Sequence, residues 1–204
     1  MENNQIKITK KEADRIMAIQ GNIKGLFILA NLDYAKKKGG PKVVDTIEQK
    51  LAELGYPFNL KSVKPMEKYP DALSVLIILL IKEIFKMSNE EVFEMGGSTI
   101  RLSPLTKIIS RYFLSVETVI KQASKYWGRY LDIGRLEVAE FNKEKGYAVI
   151  RLFDYFFHPT TCFYHRGYFV QVAKMSTGQQ EIKSKETKCI YKGDPYHEHF
   201  ISWK

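Results

Sequence analysis

The hydrophobic pattern of this chain changes period at Gly134, which limits the fold to a helical part joined to a sheet. Beyond Gly134, RLEVAEF alternates apolar and polar residues, NKEKG supplies a turn, and YAVIRLF alternates again. Residues 135–153 therefore read as a β-hairpin. Pro159 suits the first turn of a helix running to about Met175. Residues 180–191 and 197–203 read as two more strands around the turn KGDPY. A ββαββ module with four antiparallel strands is expected over residues 134–204.

Residues 1–133 read as nearly all helix. Thr9 and Glu12 form a capping-box pattern at the head of a helix to about Gln20. A second helix spans 21–35 and stops at the flexible KKKGGP, and a third spans 42–54 with Gly55 as its stop. Residues 56–70 hold three prolines and read as an irregular connection. Asp71 is expected to cap the next helix, which ends near Met87. Ser88-Asn89-Glu90-Glu91 then opens a short successor that the Gly96-Gly97 pair breaks. Helices over 102–113 and 115–130 complete this part. The expected fold class is α+β, with N-terminal helices packed on a C-terminal twisted antiparallel four-stranded sheet. Residues 1–133 form the helical part and 134–204 the ββαββ module of one compact domain.

The most apolar stretch, ALSVLIILLI at 72–81, is ten residues long, closed by Lys82 and Glu83, and too short to span a bilayer. Apolar on every side, it needs cover on every side, either in the core of this chain or against a second copy. No segment reads as transmembrane, and the polar start MENNQIKITKKEADRI lacks the apolar centre of a secretory signal. With only two cysteines, Cys162 and Cys189, a cytoplasmic location with reduced thiols is expected. The net charge of +9 raises nucleic acid as a partner. However, the first seventy residues hold thirteen basic against eight acidic side chains, and the rest nineteen against fifteen. An excess spread so evenly describes a solvated surface, so nucleic acid is not an expected partner.

Three stretches, GRLEV, HPTTCFYHRG and KCIYKGDPYHEHFISW, carry a resemblance. Over most of the chain they resemble a bacterial paralogous family of unknown function that is abundant in myxobacteria. Over the last third they are more distantly similar to the 4-vinyl reductase domain, to the ligand-sensing domain of phenol-responsive activators and to the transport-particle subunits of vesicle tethering. The resemblance implies an α+β fold, frequent dimerisation and, in the sensing members, a pocket for apolar small molecules. It also implies a structural zinc, as in the phenol-sensing branch, and residue-by-residue matching places its ligands at Cys162, Glu186, Cys189 and His197. Two positions depart from the pattern. His197 stands for a Cys, an exchange zinc accepts, and His199 stands where the myxobacterial family usually has an inward Phe.

All four histidines, His158, His165, His197 and His199, and both cysteines fall within the forty-two residues 158–199. With the turn centred on Gly193, Cys189 and His197 become opposed cross-strand neighbours, with Cβ atoms roughly 4.5–5.5 Å apart. His199 then shares their face, because strand side chains alternate. Glu186, three residues before Cys189, faces away unless a β-bulge intervenes. Two sets of four ligands stay open, Cys162–Glu186–Cys189–His197 and Cys162–Cys189–His197–His199, and either suits zinc. The plain alternative is that both cysteines are small buried hydrophobes. Haem is the other cofactor considered, with His158, His165 or Cys162 as axial ligand. Against it, the sequence has no attachment motif and lacks the Tyr-Ser-Arg signature of the related haem-based nitric-oxide sensors.

No enzyme is expected. Gly96-Gly97 lacks the Lys-Ser/Thr of a phosphate loop, and Asp194 and Glu198 flank His197 without a nucleophile nearby. Tyr126, Trp127, Phe156, Phe157 and Tyr164 are the candidate wall of an apolar pocket. The expected function is a stand-alone small-molecule-binding or sensory domain with a C-terminal Cys/His site. It is expected to bind an apolar small molecule, to form a homodimer and to signal to a separate partner protein. The alternatives are a dimeric protein-interaction scaffold that uses the 72–81 helix, and a haem-based gas sensor.

Overall fold

A computed structural model of the chain describes residues 7–102 and 115–204. The first helix, α1 (Lys10–Met17), begins where the capping residue directs it, with the Thr9 hydroxyl accepting from the Glu12 amide at 3.2 Å. Residues 21–24 do not begin the second helix. Gly21 takes φ +137°, and the next three residues form a short strand, β1 (Asn22–Lys24), ahead of α2 (Gly25–Gly39). This strand pairs antiparallel with β2 (Lys68–Pro70), at the end of the stretch read as irregular. The second helix also runs past Ala35 through Lys36, Lys37 and Lys38, whose charges suit the negative end of the helix dipole. A third helix, α3 (Val43–Glu53), buries Val43, Val44, Ile47 and Leu51 as its spacing predicts.

The apolar run lies in α4 (Asp71–Ile84), where every residue from 72 to 81 is at most 3% exposed. The helices α1, α2 and α3 supply that cover. The run therefore has no face left for a second copy, which overturns the dimer-forming helix of the scaffold alternative. Buried Lys82 ends the helix by donating to the Met87 carbonyl at 2.8 Å and to Asn89 Oδ1 at 3.1 Å.

A reciprocal capping box opens α5 (Asn89–Leu102). Ser88 Oγ accepts from the Glu91 amide at 3.1 Å, and Glu91 Oε2 accepts from the Ser88 amide at 2.8 Å. The helix does not break at Gly96-Gly97, because these glycines are where it crosses α7 (Thr160–Thr177). A Cβ on Gly96 would lie 2.0 Å from the Tyr164 carbonyl oxygen, and one on Gly167 would lie 1.8 Å from that of Phe93. The glycines let two backbones touch, and a side chain at either position would force the helices apart. The helix expected over 102–113 lies outside the described residues. Ser115 caps α6 (Val116–Tyr130), its Oγ accepting from the Thr118 amide at 3.3 Å.

Four strands follow the helical part: β3 (Arg135–Asn142), β4 (Tyr147–Phe153), β5 (Lys183–Lys188) and β6 (His197–Ser202). They form one antiparallel sheet in the order β3-β4-β6-β5, so the α+β class and the ββαββ order hold. Leu136, Ala148, Leu152 and Ile201 are buried, and Leu136, Leu152 and Ile201 join a core continuous with that of the helices. Gly134 takes φ +73°, and Trp127 Nε1 donates to the Ile133 and Gly134 carbonyls at 3.1 Å each. The point where the sequence period changes is thus clamped by a side chain of the last helix before it. Among the described residues no helix is long and apolar enough to cross a membrane.

Candidate functional site

Four side chains of the C-terminal module converge. Cys162 lies in the first turn of α7, Glu186 on β5, Cys189 just beyond it, and His197 at the start of β6. One ligand atom from each lies within 4.8 Å of all the others. Cys162 Sγ is 3.8 Å from Cys189 Sγ and 3.7 Å from His197 Nδ1, which in turn stands 3.6 Å from Glu186 Oε1. A tetrahedron with zinc bonds of about 2.0–2.3 Å requires edges of roughly 3.3–3.8 Å.

The strand register explains how Glu186 joins this group. Glu186 pairs with His199 and Lys188 with Glu198, so Thr187 is one residue too many and forms a bulge. The bulge turns Glu186 to the side occupied by Cys189. The ladder ends at Lys188, and the next position on each strand is Cys189 beside His197. Gly193 at φ +93° closes the connection, and Asp194 Oδ2 accepts from the Cys189 amide at 2.8 Å. His197 Nε2 lies 3.0 Å from the Tyr155 carbonyl oxygen. A carbonyl only accepts, so Nε2 carries a proton, and Nδ1 is the ring nitrogen that faces the cluster.

Burial works to raise the Glu186 carboxyl, but His197, His199, Cys162 and Lys192 around it together hold it down at about 2. Burial, with Glu186 and Cys189 alongside, pushes the Cys162 thiol far up, a bias that a central cation would reverse. His199 stands outside this group. Its ring is fully buried 5.4 Å from Phe169, and neither ring nitrogen has a hydrogen-bond partner among the described residues. Burial brings its pKa down to about 4. Of the two fourth residues left open by the sequence, the geometry brings in Glu186.

A cavity of about 110 Å³ lies between the helices and the inner face of the sheet. Tyr126 and Trp127 from α6 and Tyr164 from α7 line it, together with Leu136, Val138 and Ile150 from the sheet. The Tyr164 hydroxyl is held at 2.9 Å by both Asn31 Oδ1 and Thr99 Oγ1, which fixes its ring. Phe156 and Phe157 do not line the cavity. The chain alternates after Asp154, so Tyr155 and Phe157 turn inward while Phe156 is 49% exposed, and it is Tyr155 that reaches the cavity. His165 also lines it, its ring centroid 4.6 Å from Tyr155 and 5.7 Å from Trp127. Burial holds this imidazole at a pKa of about 3, so it is neutral.

Asp71 is the cavity residue that the sequence hides. Pro70 holds the N-cap position of α4, and Asp71, only 1% exposed, turns into the cavity instead of capping the helix. Neither carboxyl oxygen has a hydrogen-bond partner among the described residues. Burial raises its pKa to about 7 against a smaller opposing effect of the Tyr155 hydroxyl, which is close but outside hydrogen-bond geometry. The two other axial candidates lie elsewhere. His158 Nδ1 accepts from the Thr160 amide at 3.0 Å at the head of α7, and Cys162 belongs to the four-residue cluster.

No protein-family model matches the sequence, and neither does any curated protein sequence. Solved structures do match. An H-NOX protein from S. oneidensis in the Fe(II)NO ligation state is 13% identical, over 89% of this chain and 99% of that one, with a TM-score of 0.68. A structure probing heme distortion in the H-NOX family is 16% identical, over 89% and 95%, with a TM-score of 0.62. An oxygen-binding H-NOX domain related to soluble guanylate cyclases, solved as the oxygen complex, is 16% identical, over 89% and 95%, with a TM-score of 0.61. These matches, with no family model matching, overturn the kinship expected with the myxobacterial paralogous family and, more distantly, with the 4-vinyl reductase domain, the phenol sensors and the transport-particle subunits. The distant part of that resemblance rested on motifs in the last third, whereas these matches span helices and sheet together. At such identities the likeness speaks to architecture alone, and the architecture of this chain is the H-NOX fold.

Proposed function

We propose that the chain is a sensory domain that binds a compact, largely apolar molecule in the cavity between its helices and its sheet, and signals to a separate protein. The observation that carries this reading is the aromatic cavity itself, set in a fold shared with proteins solved with nitric oxide or oxygen bound. In this reading Cys162, Glu186, Cys189 and His197 hold a structural zinc. The metal would pin the first turn of α7, whose next turns bring Tyr164 and His165 to the cavity. No catalytic step forms part of this reading.

A haem-based gas sensor is the second reading, and the likeness to H-NOX structures supports it ahead of a domain organised by zinc alone. His165 is the one imidazole that lines the cavity among the described residues. The described residues nevertheless do not fit a haem. A cavity of about 110 Å³ is closer to the engineered space of about 150 Å³ that takes benzene than to ligand sites of roughly 300–1,000 Å³. His165 is wedged between Trp127 and Tyr155, and the described lining offers a buried carboxyl and no Lys or Arg to meet two propionates.

Thermal denaturation with toluene, alongside hemin titration, tests the two readings. Toluene is expected to raise Tm, and Ala123→Leu, which fills the cavity, to abolish the rise. No shift in the wild type would sink the small-molecule reading. A Soret band lost in His165→Ala would replace it with the haem reading.

A further inference from the structure

We infer that the cavity selects a compact amine, whose apolar body lies among the aromatic rings and whose ammonium head meets the carboxylate of Asp71. This deepens the reading of the cavity as a ligand site and rests on it. Three observations converge on a cation.

The first is Asp71. Buried polar groups in proteins are nearly always paired, yet here a carboxyl that is 1% exposed faces a cavity with both oxygens unmatched among the described residues. A carboxylate accepts and cannot donate, so its complement is a group rich in donors, and an ammonium carries three.

The second is the wall. Eight aromatic side chains among the described residues line the cavity, including Phe27, Tyr130, Tyr168 and Phe169 besides those already placed. Ring faces carry negative potential, and boxes of such rings are a recognised way of holding organic ammonium groups. The described lining holds no Lys or Arg to compete for Asp71, and the neutral His165 adds no charge.

The third is size and placement. About 110 Å³ accommodates a body of roughly one ring. Ser74, on α4 three residues after Asp71, also lines the cavity, so two polar side chains of one helix stand in a wall made mostly of aromatic and aliphatic residues. An acid of similar size would meet repulsion from Asp71, and a hydrocarbon would leave the carboxyl unmatched.

Toluene, benzyl alcohol and benzylamine share a body and differ in the head, which makes them the decisive series on the full chain. Benzylamine is expected to bind at least about tenfold more tightly than toluene, with benzyl alcohol between them, as measured by calorimetry. Asp71→Asn, nearly isosteric, is expected to bring benzylamine down to the level of toluene while toluene binding persists and reports an intact cavity. Toluene binding without preference for the amine, or a preference that survives Asp71→Asn, would overturn the inference and leave the cavity reading standing. If none of the three binds the wild type, the cavity reading fails and the inference with it. Should Asp71→Asn fail to fold, the wild-type series decides alone.

Discussion

Tyr155 receives a hydrogen bond on its carbonyl oxygen from His197 Nε2 at 3.0 Å while its ring lines the cavity, so one residue touches both candidate sites. The bond also fixes the His197 ring so that its Nδ1 faces Cys162 and Glu186. Order in the cluster and order in the cavity wall are thereby tied through a few covalent bonds.

The first consequence concerns metal content. Protein produced with zinc available is expected to carry about one equivalent, and Cys162→Ser and Cys189→Ser below about 0.2, by elemental analysis. His199→Phe is expected to keep its zinc, because His199 stands outside the group. Loss of metal in His199→Phe would instead move the fourth ligand away from Glu186.

Removal of the metal by a chelator is expected to weaken toluene binding by roughly fivefold or more, through Tyr155 and α7. An unchanged Kd in the metal-free protein would show the two sites to be independent.

Asp71 gives stability a pH dependence of known sign. Its folded pKa, about 7, lies above the ordinary 3.8 of an exposed Asp, so between those values the folded chain holds the extra proton. Stability attributable to this group falls as pH rises from about 4 to 7 and stays low above that. Asp71→Asn removes the penalty, which is on the order of 4 kcal/mol above pH 7. The variant is therefore expected to melt above the wild type at pH 8.5 and to lose that advantage near pH 4. A wild-type advantage at pH 8.5 would contradict the placement of an unpaired carboxyl there.

The helix crossing predicts an ordered pair of glycine variants. Gly96→Ala drives a Cβ into the Tyr164 carbonyl and is expected to cost about 1–3 kcal/mol, or roughly 3–10 °C in Tm. At Gly97 the nearest atom to an added Cβ is 3.3 Å away, and the gain in helix propensity of about 1 kcal/mol offsets much of the crowding. Calorimetry should find Gly97→Ala much closer to the wild type, and equal losses would show that contact distance does not govern this crossing.

The sequence by itself determined the features that are local in the chain. The caps at Thr9, Ser88 and Ser115 start helices because each hydroxyl serves an amide three residues on. The switch at Gly134 from helical to alternating period sets the order of helices and strands, because the two periods bury different faces. Even the condition for Glu186 to face Cys189, a bulge between them, follows from strand alternation. The tertiary structure decided whatever depends on a partner distant in sequence. Gly96-Gly97 has the local signature of a helix stop, but the backbone of α7 pressed against it makes it a crossing point. Asp71 has the local signature of a cap, and the same is true of any Asp before an apolar helix. Only the tertiary fold, which sets Asp71 among Tyr155 and the side chains of α6 around one cavity, turns its carboxyl inward, where burial sets its charge and no hydrogen bond among the described residues answers it.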